Sequence, residues 1–349
     1  MAISRLLVEK FRNLTAVDLN FDPCFNFLIG NNGSGKTSLL EAIFYLGHGR
    51  SFKSAVTNRI ISYDEPHFTL FGQIQEKLRQ GNTLVKINGE DGNKISDLAH
   101  LLPMQLITPE GLTLLNGGPS YRRAFLDWGL FHHQTSFYSA WSNLNRLLKQ
   151  RNAALAQNQP YSAIKVWDVE LAKLAHQVSQ WRAEYAEALR PEIEQTCRLF
   201  LPELEINVSF HQGWEKNADY YEILQQNFER DRALNYTFSG PQKADFRFKA
   251  QGLPVEDVLS RGQLKLLMCA LRLAQGEHLM KEKQRHCIFL IDDFASELDQ
   301  YKRALLAERL QQSGSQVFVT AITQRQLKEM QVENKKMFSV HNGIINALN

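Results

Sequence analysis

The sequence predicts an α/β fold in which one head domain is assembled from two distant stretches of chain and interrupted by a mostly helical insertion. Three observations carry this. Between Phe25 and Leu46 an apolar strand runs into a glycine-rich loop and then a helix. Far downstream, a second apolar run over 287–291 ends in the acids Asp292 and Asp293. Between them, from about Ser120 to Leu201, apolar residues recur at three- and four-residue intervals, the period of amphipathic helices. The expected division is 1–119 for the N-terminal part of the head, 120–205 for a helical arm with a return segment to about 240, and 241–349 for the C-terminal part of the head.

The elements follow in chain order. Residues 4–9 alternate and 25–29 are apolar, with the turn-prone Asp22-Pro23 between them, so two strands lead into the loop. Leu40, Ile43 and Phe44 give helical spacing over 37–46, with Gly47 as the expected stop. Two further strands, 68–75 and 83–88, lead to a turn at Gly89-Glu90-Asp91-Gly92 and form an antiparallel flank. Long helices are expected over 138–156 and 164–200, separated by Gln157-Asn158-Gln159-Pro160. Strands at 206–211 and 245–250 precede a helix from Arg261, a strand over 287–291, a helix over 302–312 and a strand over 316–320.

A 349-residue chain with 44% hydrophobic and 22% charged residues has the composition of an ordinary globular protein, which excludes disorder as the default. The net charge of +3 is too small to announce a nucleic-acid binder, so any basic surface must come from arrangement. Cys24, Cys197, Cys269 and Cys287 form no CxxC pair and read as buried small hydrophobes. No apolar run approaches the ~20 residues that span a bilayer, and the N-terminus lacks a signal-peptide core, so a cytoplasmic protein without membrane contact is expected.

Gly30-Asn31-Asn32-Gly33-Ser34-Gly35-Lys36-Thr37 fits G-x-x-x-x-G-K-[ST], flanked by strand and helix. Backbone N–H groups of such a loop curl round phosphate oxygens at a helix N-terminus. Lys36 is expected to reach the β- and γ-phosphates of a nucleotide and Thr37 to hold Mg²⁺. Asp292, at the end of the second strand, is the expected metal ligand. Asp293 then orients the attacking water, although adjacent side chains point to opposite faces if the strand continues. Leu259-Ser260-Arg261-Gly262-Gln263 opens a helix with Leu264, Leu267, Met268 and Leu271 on one face. Ser260 suits a helix N-cap, so a capped core helix is one reading. A second phosphate-seeking helix start, facing the nucleotide of another subunit, is the other.

Leu-Ser-x-Gly-Gln resembles the signature of ABC-type ATPases, and Asp292-Asp293 with Ser296-Glu297-Leu298-Asp299 resembles their Walker B and D-loop. Phe11-Arg12-Asn13, Thr108-Pro109-Glu110-Gly111 and Arg122-Arg123-Ala124-Phe125-Leu126-Asp127 are similar to segments of the RecF family of bacterial recombination mediators, a likeness covering essentially the whole chain. The resemblance implies an ABC-type head, two protomers sandwiching two ATP molecules, and a closed dimer on duplex DNA. It places Ser260, Arg261, Gly262 and Gln263 in trans and Arg12 near the nucleotide.

Departures from the family are specific. Gly240-Pro241-Gln242-Lys243-Ala244-Asp245 stands where the family has Gly-Pro-His-Arg-Asp-Asp, which leaves a DNA- or nucleotide-contacting loop and a plain turn into a strand as alternatives. No switch histidine follows the strand over 316–320, leaving Thr320 or Thr323 as γ-phosphate sensor. Gln105 is either a contact to a metal-bound water or a surface glutamine. Arg122, Arg123, Arg146, Lys149, Arg151 and the pair Lys335-Lys336 are candidate DNA-phosphate contacts, with solvated helix faces as the alternative. Trp141, Trp167, Trp181 and Trp214 fall on apolar helical faces and read as packing.

The expected activity is weak ATP hydrolysis, with ATP and Mg²⁺ as cofactors, coupled to DNA binding in recombinational repair and replication restart. By resemblance the task is helping load the strand-exchange protein on duplex or gapped DNA, as an ATP-dependent homodimer with RecR and RecO as partners. Another SMC- or Rad50-like chromosome ATPase is the alternative, but those insert coiled coils of hundreds of residues. A transporter subunit is disfavoured, because P-loop and signature lie close together there, whereas here they end at Thr37 and begin at Leu259.

Overall fold

A computed structural model describes residues 2–54, 56–75, 82–87, 95–293, 298–328, 330 and 332–348. The expected turn at 89–92 and residues Ser296 and Glu297 of the D-loop segment lie outside them. The chain forms two compact units, residues 1–111 with 265–349, and residues 112–264.

The first unit begins with β1 (Ala2–Glu9), β2 (Val17–Asn20), β3 (Phe25–Ile29), α1 (Lys36–His48), β4 (Thr69–Gln75), β5 (Asn82–Ile87), α2 (Ile95–Leu101) and β6 (Met104–Ile107). The second contains α3 (Thr113–Asn116), α4 (Pro119–His133), α5 (Phe137–Ala156), α6 (Tyr161–Phe200), β7 (Ile206–His211), α7 (Tyr220–Gln226), α8 (Phe228–Leu234), β8 (Asp245–Ala250), β9 (Leu253–Pro254) and α9 (Val255–Val258). Then come α10 (Arg261–Lys283), β10 (Ile288–Ile291), α11 (Gln300–Gln312), β11 (Gln316–Ala321), β12 (Lys335–His341) and β13 (Ile344–Leu348).

Among the described residues the central sheet of the first unit has the order β13-β12-β3-β11-β10-β6, and an antiparallel sheet has the order β2-β1-β4-β5. β3, β6, β10, β11 and the β3-paired edge of β12 run parallel. A parallel strand buried on both faces reads as a continuous apolar run, and every residue of β10 and β11 is buried. The core lies between the two sheets, where Leu39, Leu40 and Ile43 of α1 meet Leu6 and Val8 of β1 and Phe318 and Phe338 of the central sheet. Phe21 packs edge-on against Phe318 and Phe338 at 4.9 and 5.6 Å. Each such ring contributes roughly 1.5–3 kcal/mol through burial. Gly47 is no helix stop. It sits inside α1, where an added Cβ would lie 2.9 Å from the Met104 sulfur, and the helix ends at Gly49 in the left-handed region.

In the second unit α6 runs 40 residues, about 60 Å at 1.5 Å per residue, and starts at Tyr161 rather than at the expected 164. β8 pairs with β7 in an antiparallel register from Ile206↔Ala250 to His211↔Asp245. That ladder draws residues 241–264 into the second unit, so the division at 241 expected from the sequence moves to α10, at Leu264. The start of the helical stretch expected from about Ser120 is α4, with Pro119 at its first position.

Candidate nucleotide site and signature helix

The loop between β3 and α1 takes its shape from glycine. A Cβ at Gly30 would lie 2.1 Å from the Val340 carbonyl oxygen. Gly33 and Gly35 have φ of 77° and 115°, open to glycine and strained for other residues. A Cβ at Gly33 would meet nothing within 4 Å, so this face of the loop is open.

Two braces hold the loop. Asn13 donates its side-chain N–H to the Gly33 carbonyl at 3.2 Å and accepts from Ser38 Oγ at 2.7 Å. The turn between β12 and β13 is Asn342-Gly343, with φ of 47° and 80° and His341 opposite Ile344, the two-residue hairpin geometry that Asn-Gly favours. Gly343 N–H donates to the Ser34 carbonyl at 2.8 Å. The Asn-Gly signal was present in the sequence and could have placed this hairpin.

Lys36 is 5% exposed and donates from Nζ to the carbonyls of Gly30 and Asn31 at 2.7 and 3.0 Å. Burial holds its ammonium below the ordinary lysine value, while Asp293 and Asp292 pull it back up. Asp292 Oδ1 accepts from Thr37 Oγ1 at 3.1 Å and from Thr320 Oγ1 at 2.8 Å. Burial pushes the Asp292 carboxyl up, and those two hydroxyls pull it down. β10 ends at Ile291 and Asp293 lies in the left-handed region at φ 48°. Strand alternation therefore stops before the second acid, and both carboxylates act on Lys36. The Asp293 N–H donates to Thr320 Oγ1 at 2.9 Å.

Thr320 is thus built into the acid pair. Thr323 instead caps a short 3₁₀ turn through a reciprocal bond with Gln326. Arg12 lies over α1 through a two-point pair with Glu41, at 3.0 and 2.7 Å, and donates to the Arg59 carbonyl. Glu41, buried to 1%, went unnoticed in the sequence; a carboxylate among the apolar positions of α1 was its only signal.

These residues fit a nucleotide triphosphate and its cation. The Ser34 hydroxyl is buried in the loop with no hydrogen-bond partner among the described residues. Thr37 and Asp292 supply one hydroxyl and one carboxylate, the hard oxygen donors Mg²⁺ takes while keeping waters and phosphate oxygens. Among the described residues no cluster of three His, Cys, Asp or Glu forms a self-sufficient metal cage.

Gln105 does not join the site. It is fully buried in β6, donating to Gln275 and accepting from Arg272, both on α10, at 3.0 Å each. Both ends of its amide are spent on packing polar groups in a dry interior, which corrects the metal-water and surface readings alike.

Ser260, Arg261 and Gly262 are exposed at the start of α10. Gln263 Oε1 accepts from the Ser260 N–H at 2.9 Å and Ser260 Oγ accepts from the Gln263 N–H at 3.3 Å, a reciprocal capping box. The Leu264 N–H donates to the Ser260 carbonyl at 2.9 Å, closing the first turn. Downstream, Asp299 caps α11 by accepting from the Lys302 N–H at 2.8 Å.

The candidate DNA cations divide sharply. Arg151 is fully buried, paired with Asp168 at 2.8 Å and Asp231 at 2.7 Å. Arg122 is buried against Asp245, with both carboxylate oxygens engaged, and Arg123 donates to the Ala244 carbonyl at 2.7 Å. The Arg151 and Arg122 assignments are corrected, since side chains paired with buried carboxylates cannot turn to a phosphate without leaving buried charge unpaired, whereas Arg123 is half-buried and rests only on a carbonyl. Lys336 donates to the Asn20 carbonyl. Arg146 and Lys149 on α5, and Lys335, are exposed. Trp214 packs against Tyr220 and His176, and Trp181 against Phe137. In the altered 240–245 loop, Gln242 closes the turn by donating to the Thr237 and Ser239 carbonyls.

The sheet order, the glycine loop and the acid pair define an ABC-type ATPase head interrupted by a helical unit. A family model described as the RecF/RecN/SMC N-terminal domain matches residues 2–78 and 73–346. The DNA replication and repair protein RecF of Haemophilus influenzae (strain 86-028NP) is 96% identical, with 100% of both chains covered, and that of Pasteurella multocida (strain Pm70) is 78% identical over 100% of each. Among solved structures, the recombination mediator protein RecF with ATP, from the RecFOR pathway, superposes with a TM-score of 0.85 at 23% identity, covering 100% of this chain and 98% of that one. The Smc head domain of Pyrococcus furiosus reaches 0.58 at 14% identity, covering 99% and 96%. The chain belongs to the RecF family.

Proposed function

We propose that this chain is an ATP-gated DNA clamp of recombinational repair and replication restart, acting in the cytoplasm. The observation that carries the reading is the joining of Lys36, Thr37, Asp292, Asp293 and Thr320 in one hydrogen-bonded and electrostatic cluster beside an open glycine loop. The full-length relatives named as DNA replication and repair proteins, and the neighbour solved with ATP, support it.

Residues 30–37 cradle the triphosphate, and Lys36 exchanges the loop carbonyls for phosphate oxygens. Thr37 and Asp292 hold Mg²⁺, which when bound neutralises phosphate charge. Asp293 positions water, and Thr320 fixes both acids. Slow hydrolysis to ADP and phosphate fits a timing role. Ser260, Arg261, Gly262 and Gln263 present a helix N-terminus to the nucleotide of a second copy, so ATP closes a homodimer. The closed dimer grips duplex or gapped DNA through its phosphates and helps load the strand-exchange protein, with RecR and RecO as partners. Of the cations expected at DNA in the helical unit, Arg146 and Lys149 are exposed.

Sedimentation with and without ATP tests the gating. A mass near twice the monomer in ATP alone is expected; a mass that ignores ATP removes the clamp.

A further inference from the structure

The second unit carries a surface whose charge accounting leaves cations beside one exposed ring, Tyr236, and one half-buried ring, Phe238. In the segment 228–243, Glu229 is paired with Arg232 at 2.5 Å, and Asp231 is buried, paired with Arg151 and accepting from the Phe238 N–H. Its acids are thereby neutralised from within. Arg230 and Lys243 remain exposed. The Arg230 guanidinium lies 3.5 Å from the centre of the Phe238 ring, and Lys243 Nζ lies 5.4 Å from that of Tyr236, itself 38% exposed.

The segment is fixed to α5. Asn152 Oδ1 accepts from both the N–H and the hydroxyl of Thr237 at 2.8 Å. Lys149, exposed, precedes Asn152 by three residues and so neighbours it on the helix surface. α5 contains no acidic residue. Exposed cations thus lie on two elements tied together by Asn152 and Thr237, with the Tyr236 ring exposed beside Lys243.

We infer that the ridge formed by Lys149, Arg230, Tyr236, Phe238 and Lys243 binds single-stranded nucleic acid, the cations holding phosphates and the rings stacking unpaired bases. The inference rests on the DNA-binding reading above and, sharing Lys149 with it, adds a contact for the unpaired strand of a gap. A guanidinium lying over a ring offers its outer plane to a base and its N–H edges to phosphate. Duplex bases are already stacked and offer no face to Tyr236, so the rings favour single strands. Gln242 holds the turn that carries Lys243, which gives the altered 240–245 loop a supporting role in this surface.

The test uses the full chain, a short labelled single-stranded oligonucleotide and a duplex of the same length, with anisotropy read across a salt series with and without ATP. Tyr236→Ala should weaken single-strand binding about 10-fold by removing one stacking platform, with duplex binding in ATP unchanged. Lys243→Gln and, on a different element, Lys149→Gln should each reduce the single-strand log–log salt slope by about 0.7. Unchanged single-strand affinity and slope in all three variants overturn the assignment. Polyglutamate competing as well as polythymidylate would also overturn it, by removing the role of stacking. A parent that binds duplex in ATP but not the single strand sinks this inference and spares the clamp. A parent that grips the single strand, with the variant losses above, but never responds to ATP supports the ridge and sinks the clamp.

Discussion

At the scale of single residues, buried cations here have opposite fates. Lys36 and Arg151 are both buried cations, yet Lys36 rests on two loop carbonyls that phosphate oxygens can replace, whereas Arg151 is locked between two carboxylates. Lys36→Met should abolish ATP binding while leaving the thermal unfolding midpoint near that of the parent. Nucleotide binding by fluorescence and a melting curve check both halves, and normal hydrolysis would refute the site. Arg151→Ala should destabilise the second unit by about 3–5 kcal/mol, because Asp168 and Asp231 would stay buried without their partner. Denaturant titration reads this. A variant of parental stability with weakened DNA binding would restore Arg151 as a surface contact.

At the scale of elements, α10 joins two roles that the sequence could not separate. Its first turn is a capping box and its body is a buried apolar stripe through Leu267, Met268 and Leu271. The cap itself is worth about 1 kcal/mol. The exposure of Ser260, Arg261 and Gly262 is what the cap does not require. Ser260→Arg should therefore cost about 1 kcal/mol of stability yet block ATP-dependent dimerisation, with ATP binding by each protomer retained. Sedimentation in ATP is the measurement, and parental dimerisation would reduce the motif to a helix cap. The hairpin β12–β13 shows the same economy, since its Asn-Gly turn both reverses the chain and braces the phosphate loop.

At the scale of the whole molecule, hydrolysis matters through what it releases. If ATP closes the dimer only by preferring the closed state, a protein that binds but cannot hydrolyse should stay closed. Asp293→Asn should keep ATP affinity, lower turnover roughly 100-fold or more, and slow dissociation from duplex and gapped DNA in ATP. Affinity should fall steeply with salt, as phosphate contacts release counterions. Dissociation rates at two salt concentrations test this, and a variant that leaves DNA as fast as the parent with ATP bound rejects the gated clamp.

The sequence by itself determined the local chemistry. The strands 25–29, 206–211 and 245–250, the long helices, the glycine loop and the acid pair were legible because each is written in contiguous residues with a period or a spacing of its own. The membership of those pieces in larger units was not. β6 carries a weak local signal and owes its place to β10 beside it, and residues 241–264 join the second unit through the ladder of β8 on β7. Tertiary structure alone decided which cations are free. A sequence records that Arg122, Arg146, Lys149 and Arg151 sit on helices, but whether a guanidinium meets solvent or a carboxylate depends on what folds against it. For Arg122 that partner lies 123 residues away at Asp245, and for Arg151 one of them lies 80 residues away at Asp231. Burial makes those pairings hard to break, because a charge in a dry interior must keep its partner, and no local pattern encodes a partner so distant.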